Sequence, residues 1–429
     1  MNERILPGFT APDYDVSQPL DPDFADLYKK INSDDRAYWM RARSFVQDEV
    51  LPVIAGYWDK AEYPIHLAER MGELDLLRDG VNLPGFPDQS LLAAGLVVSE
   101  ISRGDGSIGT IIGVQGALAL RSIAWFGSDE QKEEWCAPLA RGEKLGAFGL
   151  TEPTHGSDSV SLETSVRESG DHLVVNGEKK WIGNGSVGDV TVVWARAEDG
   201  KVKGLVVPQD TPGYSGETIE GKMSLRAIYQ AHITMTDMKL PRSAAMPGAN
   251  SFGDTAKVLH ATRLGVAWGA LGHATAAYEI CVQYSQQRIQ FGRPIAQSQA
   301  VQARITEILA DLTALQSMLF NFAALDQKGE LSPTAASLAK YNATKVARKA
   351  VAIARDMLGG NGILLANRAG RHFADVEALH TYEGTDTVRE FPAERLDLAP
   401  LLSEGPAPGH TYTRHAAVLD GVDRFDARF

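Results

Sequence analysis

A change of hydrophobic period divides this chain into three. From Asp35 to Phe126 apolar residues recur at helical spacing, as in the stripe Phe45, Val46, Val50, Leu51 and Ile54. Between residues 146 and 245 that spacing disappears, and short β-branched runs alternate with glycines and turn pairs. From about Asp254 the helical spacing returns in long segments rich in Ala, Leu, Lys, Arg and Gln. A chain patterned in this way reads as α+β with segregated blocks, not as alternating βαβ units. The expected organisation is an N-terminal helical domain with an extended arm (1–145), a middle antiparallel, barrel-like β domain (146–250), a C-terminal four-helix bundle (251–400) and a tail (401–429).

Local signals fill in the blocks. Helices are expected at about 35–58, 65–77, 90–103 and 109–126, and Ser128 with Gln131 forms a capping-box arrangement that starts another. In the middle block, Asn176-Gly177 separates Leu173-Val174-Val175 from Lys180-Trp181-Ile182, which reads as a hairpin turn. Asp199-Gly200 separates Val190–Ala195 from Val202–Val207 in the same way, and Ile233, Met235 and Met238 mark a further strand. Four helices are expected after that, at about 254–288, 297–328, 332–358 and 365–380. Gly104-Asp105-Gly106-Ser107-Ile108-Gly109 satisfies the dinucleotide-binding pattern in letters only. No strand precedes it and no βαβ unit surrounds it, so it reads as an interhelical turn.

Composition narrows the function classes. Of the 429 residues 44% are hydrophobic and 23% charged, ordinary values for a globular chain, and the net charge of −13 disfavours a nucleic-acid surface. The two cysteines, Cys136 and Cys281, provide no disulfide framework or cysteine zinc site, and two free thiols fit a reducing, cytoplasmic setting. No metal site is expected. The apolar run Leu91–Val98 soon meets Ser99 and Glu100, so no membrane span and no membrane partner are expected.

Five short segments carry chemistry. Phe148-Gly149-Leu150-Thr151-Glu152-Pro153-Thr154-His155-Gly156-Ser157-Asp158 leaves a strand into a loop whose N–H groups and hydroxyls suit a heterocycle edge or phosphate oxygens. Lys180-Trp181-Ile182-Gly183-Asn184 follows, then Arg288-Ile289-Gln290-Phe291-Gly292-Arg293-Pro294-Ile295 with Gln299. Leu358-Gly359-Gly360-Asn361-Gly362 precedes Tyr382-Glu383-Gly384-Thr385, where a carboxylate stands between an aromatic residue and a glycine.

Taken in order, these segments resemble the signatures of the acyl-CoA dehydrogenase and oxidase superfamily over residues 40–390. The resemblance implies that superfamily's helical, β and helical fold and FAD as cofactor. It also implies acyl-CoA as substrate, an electron-transferring flavoprotein as partner and a homotetramer built as a dimer of dimers. In that chemistry a carboxylate removes the weakly acidic α-hydrogen of the thioester while flavin accepts the β-hydride, leaving a trans-2-enoyl-CoA. By resemblance Glu383 is the base, with its backbone N–H polarising the thioester carbonyl. Tyr382 walls the pocket and Gly384 leaves room for substrate. Phe148, Leu150 and Thr151 line the flavin ring, Trp181 stacks on its other side beside Gly183, and Ser157 meets the pyrophosphate and the CoA. Arg288, Phe291, Gln299, Gly359 and Gly360 reach the FAD of a neighbouring subunit, Thr385 meets its ADP part, and Arg263 holds the CoA region.

Finer resemblances pull in two directions. Ala354–Gly360 and Val193–Arg196 are similar to glutaryl-CoA dehydrogenase. Gly109, however, stands where that enzyme has the arginine for its substrate's distal carboxylate, so a hydrocarbon acyl chain against Ile108, Ile111 and Ile112 is expected instead. Asn250–Leu259 and Trp181–Asn184 are similar to plant peroxisomal short-chain acyl-CoA oxidases. Gly183 there replaces a threonine that approaches the flavin, which keeps an oxygen-using oxidase as the alternative. Pro392, in the helix expected after the base, departs from the family pattern and motivates a third reading, a non-catalytic member.

Overall fold

The structure, a computed structural model, describes residues 13–384. The arm lies along the C-terminal block, where the backbone N–H groups of Asp15, Gln18 and Leu20 bond Gln287, Gln283 and Glu279. Helices α1 (Ser33–Phe45), α2 (Ile54–Lys60), α3 (Ile65–Glu73) and α4 (Leu91–Gly104) follow. Next come α5 (Gly106–Ile112), α6 (Arg121–Phe126) and α7 (Asp129–Ala140). The Ser128–Gln131 capping box starts α7 as expected. Between α4 and α5 the expected interhelical turn is present, with the Asp105 carboxylate accepting the N–H of Ser107. A π-helical segment, Gly113–Leu120, joins α5 to α6 without a break, a feature found mostly near functional sites.

The middle block is a seven-stranded sheet in the order β1-β4-β2-β3-β7-β6, with β5 added on β4. Its strands are β1 (Gly146–Gly149), β2 (Ser165–Ser169), β3 (His172–Gly183), β4 (Val190–Ala197), β5 (Val202–Pro208), β6 (Tyr214–Thr218) and β7 (Gln230–Pro241). Two expectations are corrected. The sheet is mixed, because β1 and β2 both run parallel to β4. Turn pairs reveal hairpins, whereas parallel partners arrive through longer connections that leave no turn signature. Asn176-Gly177 is also not a turn: β3 runs straight through it, with a bulge against β7 between Val175 and Gly177. Gly177 has φ +145, and a Cβ there would lie 2.6 Å from Thr164, so the glycine serves a close approach rather than a reversal. The Asp199-Gly200 hairpin forms as read, pairing Arg196 with Val202.

The last block is built on α8 (Phe252–Gln287), with a small hairpin of β8 (Ile289–Gln290) and β9 (Arg293–Pro294) behind it. Helices α9 (Gln299–Asp326), α10 (Pro333–Met357) and α11 (Ala369–Thr381) complete it. One apolar core joins both helical blocks, running through Phe45, Leu96, Ile108, Trp268, Leu271, Leu312, Ala343 and Val376. Two helical stretches, Gly106–Phe126 and Gln299–Asp326, are long and apolar enough to cross a membrane by length and composition. The sequence reading missed them because polar residues interrupt both. The apolar window of the first is 72% buried and that of the second 33% buried inside this chain.

Candidate active site

Two of the predicted segments meet beside the π segment. Strand β1 ends at Gly149, and the carbonyl of Thr151 accepts the N–H of Lys180, which sets the first segment alongside the second. Beneath this pair lies a buried ion pair that the sequence reading did not identify. Lys179, with 0% of its side chain exposed, bonds the Glu152 carboxylate at 2.8 Å and the Leu150 carbonyl at 3.1 Å. The N–H groups of Glu163 and Thr164 complete the shell of that carboxylate. Burial opposes the charge of Glu152, but Lys179 and these donors outweigh it and hold the carboxyl down at about 2. Potential ligand atoms of Glu152, His155 and Glu163 lie within 4.8 Å of one another. Since both Glu152 oxygens already accept bonds, this group is a loop anchor.

The second segment is strained where it matters. Trp181 has φ +66 at a bulge in β3, and its side chain is 55% exposed. Asn184, also at positive φ, is fully buried; its amide donates to the Gly146 carbonyl at 3.0 Å and its oxygen accepts the Tyr63 hydroxyl at 3.2 Å. Gly183 packs on Val114 of the π segment, so closely that a Cβ would stand 2.6 Å from a Val114 methyl. Packing alone therefore excludes threonine here unless Val114 yields.

The base segment closes on the same helix. Tyr382 and Glu383 follow the end of α11, half-buried, with Glu383 at φ +52 and Gly384 at φ +95. Burial, and after it the charge of Glu383, push the Tyr382 phenol up, opposed by a hydrogen bond with Thr110. Thr110 and Val114 are one helical turn apart, roughly 6 Å along the axis. One stretch of helix thus contacts both the base turn and the second segment, and between those contacts Gly113 faces open space. Arg263 of α8 lies close enough to Glu383 for the carboxylate to counter the burial that depresses its guanidinium, and its Nη1 bonds Ser337 at 3.2 Å. The root of α11 is fixed by Asp375, which accepts the Trp58 indole N–H at 3.0 Å and the Leu225 N–H at 2.7 Å. Burial pushes the Asp375 carboxyl up to about 7, with Asp105 adding to the shift.

The other predicted residues divide clearly. Phe148 and Leu150 are buried, the Phe148 ring meeting Trp194 at 6.1 Å, so of the first segment Thr151 and the exposed Ser157 reach the surface. Ile108, Ile111 and Ile112 are 0–1% exposed members of the apolar core. That face of α5 turns toward other helices. A Cβ on Gly109 would meet Ser102 Oγ at 2.3 Å. Arg288, Phe291, Gln299, Gly359 and Gly360 form a separate group at the other end of α8. Arg263 and Arg288 are about 37 Å apart along that helix. Arg288 bonds the Tyr14 hydroxyl, Phe291 is 102% exposed at φ +53, and Gly359 and Gly360 face open space. Thr385 and Pro392 lie outside the described residues.

A three-block chain in which one helix lies against both the carboxylate turn and the segment that bears an exposed tryptophan belongs to a class that the comparisons identify. The acyl-CoA dehydrogenase N-terminal, middle and C-terminal domain profiles match residues 32–143, 147–238 and 252–391. Mitochondrial short-chain specific acyl-CoA dehydrogenase of Bos taurus is 32% identical over 356 residues, 81% of this chain and 86% of the relative. A crystal structure of glutaryl-CoA dehydrogenase from Mycobacterium smegmatis matches with TM-score 0.82 at 37% identity, covering 89% of this chain and 97% of the other. A second structure of a glutaryl-CoA dehydrogenase from that organism, in complex with FADH2, matches with TM-score 0.84 at 32% identity over 90% and 98%. The chain belongs to the acyl-CoA dehydrogenase family. Within it, it stands close to glutaryl-CoA dehydrogenase.

Proposed function

We propose that this chain is an FAD-dependent acyl-CoA dehydrogenase that converts a small or medium apolar acyl-CoA to its trans-2-enoyl-CoA, with Glu383 as the base. The observation that carries the reading is the helix through Thr110 and Val114, which contacts the base turn on one residue and the Gly183 segment on the other. FAD, when bound, supplies the hydride acceptor. The residues present suit it. Trp181 offers an uncovered aromatic face, Thr151 and Ser157 offer hydroxyls, and the Glu152–Lys179 pair fixes the loop that carries them.

In this reading Glu383 takes the α-proton and Tyr382, beside Thr110, walls the substrate pocket. Gly384 and Gly113 leave room for a flat thioester, and Arg263 supports the CoA end. Gly109 supports a hydrocarbon chain over a dicarboxylyl one, since an arginine there would have to displace Ser102. Arg288, Phe291, Gln299, Gly359 and Gly360 are too far along α8 to serve the same cofactor as Trp181, which supports a site shared between copies and a homotetramer. The apolar α9, only one-third buried, supports it too. An electron-transferring flavoprotein is the proposed acceptor and the cytoplasm the proposed location, where the two buried free cysteines are at home.

Anaerobic addition of saturated acyl-CoAs to the yellow protein tests the proposal; bleaching of the flavin band is expected, and persistent colour across the panel would overturn it. Admitting oxygen afterwards separates the oxidase alternative, which predicts rapid reoxidation with peroxide. Packing against Val114 already accounts for Gly183 without any role in oxygen chemistry.

A further inference from the structure

Helix α10 buries a face of small residues, mostly alanines (Ala336, Ala339, Ala343, Ala347, Ala350 and Ala354) with Ser337, Thr344 and Val351. Among them stands Lys340, 0% exposed. An ammonium at such a position is costly unless its donors are engaged. Its Nζ donates to the His380 carbonyl at 2.8 Å and to the Gly384 carbonyl at 2.7 Å. The first belongs to the last turn of α11, where carbonyls lack helical partners and the helix dipole favours a cation. The second lies immediately after the base.

The geometry of the turn gives this clamp a function. His380 and Gly384 are four residues apart, and both carbonyls must point at one nitrogen. The chain meets that condition by reversing through Glu383 at φ +52 and Gly384 at φ +95. A left-handed residue other than glycine costs about 1–2 kcal/mol, and such strain persists where the surroundings over-determine the conformation. One turn earlier on the same face of α10, Ser337 accepts the bond from Arg263. A single helix face therefore registers both the arginine near the base and the turn that bears it.

We propose that Lys340 is a positioning residue for Glu383: by holding the carbonyls on either side of it, the ammonium fixes where the carboxylate stands relative to the thioester. The inference rests on Glu383 being the base. A lysine that merely satisfies a helix end would affect stability and leave the rate of proton removal alone.

The test compares Lys340→Met and Lys340→Arg with wild type, each as the full-length, FAD-loaded protein. Lys340→Met is expected to bleach about a hundredfold more slowly at saturating acyl-CoA. Its affinity for the corresponding enoyl-CoA should stay within about threefold, because the effect falls on kcat rather than KM. Lys340→Arg, which can still reach a carbonyl, should recover part of the rate. Hydrogen exchange of the peptide spanning 378–384 should quicken in Lys340→Met, a readout independent of turnover. Should Lys340→Met fail to hold FAD, Lys340→Gln, a neutral and shorter donor in place of the ammonium, is read the same way and must still slow bleaching. A bleaching rate within about twofold of wild type in a folded Met or Gln variant overturns the proposal. So does unchanged exchange at 378–384. Failure of the wild type itself to bleach strikes the functional reading instead, and leaves the clamp to be judged on exchange alone.

Discussion

The two ends of α8 are built on opposite principles. At the Arg263 end, polar atoms are engaged inside the chain: Tyr382 with Thr110, Arg263 with Ser337, Lys340 with two carbonyls. At the Arg288 end, Phe291 stands fully in solvent on a strained hairpin, and Gly359 and Gly360 face empty space. Strained backbone occurs at both ends; at the second, Arg288 still bonds Tyr14, but the Phe291 ring and the two glycines meet nothing in their own chain. A single copy thus pre-organises the base by itself and leaves the other half of its functional residues for something outside it. Chemistry that depends on fine placement is expected where the chain itself supplies supports, and in the proposed function the exposed end is where a second surface meets it.

The sharpest way to break that contrast is to remove the base while keeping its braces. Glu383→Gln should retain FAD and fold normally, and should bleach with acyl-CoA at least 10³-fold more slowly, within the roughly 10²–10⁴ span of general-base contributions. Stopped-flow absorbance under anaerobic conditions reads it directly. Retained turnover would remove Glu383 from the mechanism and with it the meaning of the clamp.

Next in size is the brace under the first segment. Glu152→Gln leaves Lys179 buried beside a neutral partner, and breaking such a pair costs about 3–5 kcal/mol; thermal unfolding and flavin retention should both suffer. The same pair sets a pH dependence. The folded Glu152 carboxyl lies near 2 against an ordinary 4.5, so its stabilisation is complete above pH 4.5 and fades as pH falls toward 2. In Glu152→Gln the corresponding part of the acid transition should be absent. A wild-type acid transition identical to that of the variant would show that the pair is not the source.

A smaller effect is expected where the second segment packs on the π segment. Gly183→Thr forces a Cβ to within 2.6 Å of Val114, and overpacking of this kind costs about 1–3 kcal/mol. Val114→Ala in the same chain should restore most of the loss, giving a clear coupling energy in a double-mutant cycle. If oxygen reactivity, rather than stability, changes in Gly183→Thr, the glycine has a chemical role that packing does not explain.

How much of this was legible in the sequence follows from the kind of information each feature carries. The change of period gave the helical, β and helical order, and turn pairs gave the β4–β5 hairpin, because both are local. The parallel pairing of β1 and β2 with β4 was not legible, since it depends on where a long connection returns. Asn176-Gly177 misled because a glycine needed for a bulge looks the same as one needed for a turn. The motif segments named Glu383, Trp181 and Arg288 as residues of one family pattern, and the family profiles match the blocks that carry them. They did not reveal that Ile108 and Ile112 face the core, or that Phe148 packs inward on Trp194. Lys340 did leave a signal: a lone lysine within a stripe of small residues at helical spacing. Read as a breach of amphipathic pattern, it points to a buried cation that must have acceptors.

The smallest expected effect tests the open end of α8. Phe291→Ala removes a ring that touches little within its own chain, being 102% exposed. The stability of the isolated chain should change by no more than about 0.5 kcal/mol, as for surface substitutions without local partners. If the Arg288 end is completed by a second copy, the same substitution should weaken assembly, read as a shift of sedimentation toward smaller species, and loosen FAD during gel filtration. Glu383→Gln should do neither. A variant that keeps both its assembly and its flavin would mean that Phe291 meets neither, and that the uncovered hairpin differs from the base end for a reason unrelated to a shared site.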